Sequence, residues 1–112
     1  MVTIDSRANE TSGTQPSVRA IVEDVVGCKW TLHVLEQVRA GVHRPGALVR
    51  TTEGLTRKVL YERLAKLVRY GVLVREAYPE VPPRVEYHLT PFGERLNTVL
   101  DAIDALQRDV DG

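Results

Sequence analysis

The stretch Gly54–Tyr70, GLTRKVLYERLAKLVRY, constrains the fold more than any other part of the chain, because it reads as a helix with both ends marked. Thr56 can cap the first turn by accepting from a free backbone N–H, and Gly71 stands just past the last periodic residue. At roughly 100° per residue, Leu60, Leu64, Leu67 and Val68 fall on one stripe, with Val59 at its margin. That stripe demands a core to dock on. Lys58, Glu62, Ala65 and Arg69 face the other way, and Tyr61 lies on the flank. Arg57 sits in the first turn, where the helix dipole already favours anions. A basic face of this kind suits a DNA groove, but it also suits an ordinary solvated helix, so the flanking sequence has to decide.

Ahead of this helix, residues 1–16 are rich in Thr, Ser, Gly and Asn and read as a flexible N-terminal arm. Residues 17–112 then read as one domain. Val18, Ile21, Val22, Val25 and Val26 recur at helical spacing up to Gly27. A second helix is predicted from Lys29 to Ala40, burying Trp30, Val34, Leu35 and Val38, with Trp30 as a core anchor. Pro45 is allowed at a first helical position, so Pro45–Thr51 reads as a short helix and Thr52-Glu53-Gly54 as the turn behind it. A short helix, a glycine turn and a longer basic helix make a helix-turn-helix.

After Gly71 the period changes. Val72–Ala77 is β-rich, and Val85, Tyr87 and Leu89 alternate with Glu86 and His88. The three prolines of residues 78–84 forbid ladder pairing, which makes that segment a stiff projecting loop between antiparallel strands. Thr90 as N-cap and Pro91 behind it start a terminal helix, residues 90–110. Its apolar positions Phe92, Leu96, Val99, Ile103, Leu106 and Val110 are spaced four, three, four, three and four apart, with Leu100 alongside. That spacing is a pairing seam, most simply for the same helix of a second copy. The expected fold is mainly α with a small β-hairpin wing: a winged helix-turn-helix dimerised through terminal helices. Such a dimer sets two recognition helices roughly 34 Å apart, one turn of B-DNA.

Zero net charge looks unfavourable for a nucleic-acid binder, but the charges are segregated. Residues 1–38 carry net −2, residues 39–84 net +6 and residues 85–112 net −4. Affinity for DNA follows the phosphates a surface can neutralise locally, so the central block is the part that counts. The single cysteine excludes an internal disulfide and fits a reducing cytoplasm. No segment has the make-up of a leader or a membrane span, so a cytoplasmic, nucleoid-associated location is expected.

Gly27-Cys28-Lys29-Trp30-Thr31-Leu32, Gly54–Leu60, Arg63-Leu64, Gly71–Val74 and Tyr78–Tyr87, followed by Leu89-Thr90 and Gly93, resemble the HxlR family of bacterial winged-helix transcriptional regulators, relatives of the MarR class. The resemblance covers about residues 18–108. It implies a homodimeric repressor held by its terminal helices on an inverted-repeat operator. Many members of that family sense electrophiles or oxidants through a cysteine ahead of the first helix, where this chain has Gln15, Pro16 and Ser17. It also departs at Arg44-Pro45-Gly46-Ala47-Leu48, where an Arg-Phe-x-Glu-Leu start is usual, and at Tyr61, where a small hydroxyl residue is usual.

The candidate base-reading residues are Thr56, Arg57, Lys58, Tyr61 and Glu62 in the major groove, from helix 55–70, with Arg84 at the wing entering the minor groove. Arg44, Arg50 and Arg69 are assigned to phosphates, and Arg63 to a structural ion pair. The dimer seam is Leu96, Val99, Leu100, Ile103, Leu106 and Val110. Cys28 begins the second helix next to Lys29, which favours a thiolate and a redox role; the alternative is a half-buried structural thiol. His33, His43 and His88 look scattered, with no ligand spacing, so no metal or other cofactor is expected. Nothing pairs a nucleophile with a base, so an enzyme is not expected either. The expected partners are an operator duplex, a second copy and an unidentified small-molecule or oxidant effector, with no membrane. The competing reading is a winged-helix module that binds protein, or a ligand sensor with weak DNA binding. Binding that falls steeply with ionic strength distinguishes DNA from protein as the partner.

Overall fold

The computed structural model describes residues 16–112, so the expected N-terminal arm lies outside the described residues except for its last position. Five helices and one hairpin follow in order: α1 Val18–Gly27, α2 Lys29–Arg39, α3 Pro45–Arg50, α4 Arg57–Arg69, β1 Leu73–Tyr78, β2 Arg84–Leu89 and α5 Pro91–Asp111. Each start has a local cause. The hydroxyls of Ser17, Thr56 and Thr90 accept from the amides of Ala20, Val59 and Gly93, and Pro45 and Pro91 stand at the first helical positions of α3 and α5. Cys28 is the only residue between α1 and α2. Its extended backbone makes the corner.

The core gathers around α2, whose Val34 and Leu35 are wholly buried. Leu60, Leu64 and Leu67 of α4 reach it with no exposed surface, and burying each is worth about 2–3 kcal/mol. Leu48, Val72, Leu73, Tyr87, Leu96 and Leu100 close it from α3, the hairpin and α5. α4 is tied to α1 as well. Asp24 accepts from the Tyr70 hydroxyl and pairs with Lys66 at 3.2 Å. The Tyr70 hydrogen bond and the Lys66 charge hold the Asp24 carboxyl below its ordinary value, and the same bond pushes the Tyr70 phenol up. Arg63 makes no ion pair among the described residues, contrary to expectation, since Asp24 already serves Lys66 and Tyr70.

Trp30 also departs from expectation. It packs on the edge of the core, half-buried, rather than within it. Its ring lies over the turn before α4, where a Cβ on Gly54 would meet the indole at 3.4 Å, and Gly54 has φ +87°. Trp30 therefore holds the helix-turn-helix corner from outside.

The strands pair antiparallel from Leu73 opposite Leu89 to Tyr78 opposite Arg84. The His43 carbonyl accepts from the Tyr87 amide at 2.8 Å, so one residue of the α2–α3 connection lies along the free edge of β2. Behind the hairpin, the Thr90 amide donates to the Val72 carbonyl at 3.1 Å and its hydroxyl reaches the carbonyls of Gly71 and Val72. One turn later Gly93 passes so close that an added Cβ would lie 2.2 Å from the Val72 oxygen.

Gly93→Ala is therefore expected to destabilise the chain by about 2 kcal/mol in urea denaturation, despite a helix-propensity gain of about 1 kcal/mol. Gly27→Ala, where nothing lies within 4 Å of the added carbon, should leave the midpoint unchanged or raise it. Equal stability of the two variants would remove the close approach as a constraint.

Candidate nucleic-acid interface

α4 presents Arg57, Lys58, Tyr61, Glu62, Ala65 and Arg69 on one arc of about 140°, and all six are exposed. Thr56, whose hydroxyl is used by the cap, is exposed beside them. Arg57, Lys58 and Arg69 make no ion pair among the described residues, and neither does Arg50 at the end of α3. Free cations at a capped helix start are the arrangement that can meet phosphates and base edges. Tyr61, 46% exposed, forms the inner wall of a cleft of about 410 Å³ that runs between Arg44–Gly46 and the wing residues Glu80–Val85.

The wing differs from expectation in how it holds its arginine. Arg84 stacks on the Tyr78 ring at 3.9 Å and pairs with Glu80 at 2.9 Å and Glu86 at 3.1 Å. Arg44, assigned to phosphate, lies 3.8 Å from the same Glu86 carboxylate. With Arg84 held this way in the free chain, reaching a minor groove requires exchanging carboxylates for phosphates. Val81 at the tip is fully exposed.

α5 divides its seam. Leu96 and Leu100 are buried in the chain's own body, whereas Val99, Ile103, Leu106 and Val110 are 44%, 40%, 64% and 74% exposed. The six residues expected to face a partner are thus split between two jobs. The two sets interleave at Val99 and Leu100, and next to them Asp101 accepts two hydrogen bonds from Arg39 of α2, at 2.6 and 2.7 Å. An apolar groove of about 580 Å³ opens along the inner end of α5, lined by Val18, Phe92, Leu96 and Val99, so α1 contributes a residue that the seam pattern did not include.

Cys28 is half-buried. Burial pushes its thiol up, but hydrogen bonding to Thr31, the positive charge of Arg63 and the Trp30 amide outweigh it and hold the group below the usual thiol value. Two of the three histidines come together in space, while His33 joins no such group among the described residues. His43 and His88 rings lie 4.1 Å apart, and their ligand atoms and a Glu86 carboxylate oxygen all fall within 4.8 Å of one another. The signal available in sequence was Glu86-x-His88 in a strand, which puts both on one face. No spacing rule brings in His43, which arrives through the Tyr87 backbone bond.

This architecture has known counterparts. The chain is 40% identical over 88 residues to the HTH-type transcriptional regulator sll1512 of Synechocystis, covering 79% of this chain and 65% of that one. It is 38% identical over 89 residues to the HTH-type transcriptional regulator YtcD of Bacillus subtilis, covering 80% and 70%. The chain spans less than two thirds of the length of the first curated relatives it matches. Among solved structures, one described as a MarR-family transcriptional regulator from Enterococcus faecalis V583 superimposes with a TM-score of 0.75 at 28% identity, covering 99% of this chain and 93% of that one. The redox regulator HypR in its reduced form gives 0.71 at 30% identity, covering 83% and 92%. The HxlR-like helix-turn-helix family model matches residues 25–110, from the end of α1 through the hairpin into the last turns of α5, and the chain belongs to that family.

Proposed function

We propose that the chain is a sequence-specific DNA-binding transcriptional regulator, acting as a cytoplasmic homodimeric repressor on an inverted-repeat operator. The observation that carries this reading is the α4 face. Among the described residues Arg57 and Lys58 make no ion pair at a capped helix start, while Lys66 on the other side of the same helix is engaged by Asp24. Arg57 or Lys58 can pair with guanine O6 and N7, and Glu62 can accept from cytosine N4. Arg50 and Arg69 take phosphates, and the wing lies along the backbone with Arg44 and Arg84 at its root. The α5 faces of two copies, with Val99, Ile103, Leu106 and Val110 at the seam, set the spacing of the two α4 helices.

Operator sequences selected from random DNA give the probe. Lys58→Ala is expected to weaken operator binding by about 1–3 kcal/mol, and Arg69→Ala to reduce the salt slope by about one phosphate, measured by fluorescence anisotropy at several ionic strengths. Unchanged affinity in both would discard the α4 face. An affinity insensitive to salt would favour a protein-binding module instead.

Ile103→Glu puts a charge into the seam without touching the core, since the side chain is 40% exposed. The variant is expected to sediment as a monomer with its helix content retained and to lose tight binding to the two-half-site operator. A wild-type chain that sediments as a monomer at micromolar concentration refutes the dimer.

A second reading rests on the placement of Cys28 at the start of α2 with its thiol held below the usual value. In it, oxidants or electrophiles act on this thiolate. Alkylation of the native protein is expected to reach half its maximal rate at a pH below the ordinary thiol value. Slow labelling with no such inflection would leave Cys28 as a structural thiol.

A further inference from the structure

We infer that His43, Glu86 and His88 form a binding site for one divalent transition-metal ion of the zinc class at the root of the wing. Two imidazoles and a carboxylate are the donor set that such ions take, with three protein ligands leaving a fourth position for water. The three come from places far apart in sequence. Glu86 and His88 share one face of β2, and the His43 carbonyl is fixed to the Tyr87 amide between them. All three side chains are half-buried, which limits competition from bulk water without closing the site to an ion.

The distances suit the chemistry. The donor atoms lie within 4.8 Å of one another, and the Glu86 Oε1 and His88 Nε2 pair is already at 2.9 Å. A tetrahedral ion held at about 2.1 Å needs ligand atoms about 3.4 Å apart, so side-chain rotations of about an ångström complete the site. The two imidazole rings already lie 4.1 Å apart, centre to centre, tilted by 43°.

The Glu86 carboxylate has one oxygen for each role. Oε1 faces His88, while Oε2 accepts from Arg84 at 3.1 Å and lies 3.8 Å from Arg44. An ion on Oε1 leaves Oε2 with both arginines, in the manner of the outer partners that orient a ligating carboxylate. Metal would thus add two positive charges directly behind the wing cations. The site itself does not depend on DNA binding.

The test uses untagged full-length protein with Zn²⁺ as probe, titrated against a chromophoric chelator, beside His43→Asn, His88→Gln and Cys28→Ser variants. One Zn²⁺ per wild-type chain is expected. Affinity should fall at least about tenfold in each histidine variant and stay unchanged in Cys28→Ser. Co²⁺ loaded into the unaltered protein supplies a readout free of any folding defect: intense visible bands of a tetrahedral nitrogen–oxygen site, with no thiolate charge-transfer band. Zinc held equally well by His88→Gln, loss of binding in Cys28→Ser, or only weak octahedral Co²⁺ absorption would each overturn the site.

Discussion

The Val72 carbonyl is the point on which the working parts of this molecule depend. It lies at the corner where α4 has just ended at Gly71 and β1 begins, and it accepts from the Thr90 amide and hydroxyl. Thr90 is also the cap of α5, so one residue closes the hairpin, starts the terminal helix and ties both to the end of α4. Gly93 lets α5 come down on that carbonyl at a distance no side chain allows. The angle between the α4 face, the wing and the projecting half of α5 is therefore fixed by a few backbone groups. The proposed meeting of two copies with one duplex would need that rigidity, because an error at the corner is multiplied along the length of α5.

Charge is disposed by position rather than by amount. Equal numbers of acidic and basic residues give a chain with no net charge, yet several acidic groups are placed against cations that hold elements together. Asp24 holds Lys66, Asp101 holds Arg39, and Glu80 and Glu86 hold Arg84. Arg57, Lys58, Arg50 and Arg69 make no ion pair among the described residues. The exposed Arg39–Asp101 pair contributes little to stability, and together the pairs decide which cations remain available to a partner.

The elements were legible in the sequence because their causes are local. Thr56 and Gly71 bound α4, Pro45 starts α3, Thr90-Pro91 starts α5, and the residue 79–83 turn separates two alternating strands. What could not be read depends on contacts distant in sequence. Trp30 looks like a core residue by its place on the α2 stripe, but the stripe's edge meets the Gly54 turn instead. Arg63 reads as an ion-pair residue, but Asp24 is taken by Tyr70 and Lys66 and Arg63 makes no ion pair among the described residues. His43 and His88 stand 45 positions apart, and only the edge contact on β2 makes them neighbours. A periodicity identifies the face of an element; it carries no information about which neighbour that face will meet.

The split of α5 illustrates the same point and bears on assembly. An uninterrupted four–three seam in sequence gives no hint that Leu96 and Leu100 serve the chain's own core while the positions beyond Asp101 do not. A helical segment of about ten residues projecting alone into water gains too little from its own hydrogen bonds to stay ordered. The outer half of α5 carries Ile103, Leu106 and Val110 exposed on one side, and in the proposed dimer that stripe would meet a matching apolar face. A two-fold axis supplies such a face without any further component, since the same stripe answers itself. The Arg39–Asp101 clamp stands beside Leu100, the last buried position of α5, and fixes the direction in which the outer half of the helix leaves the body.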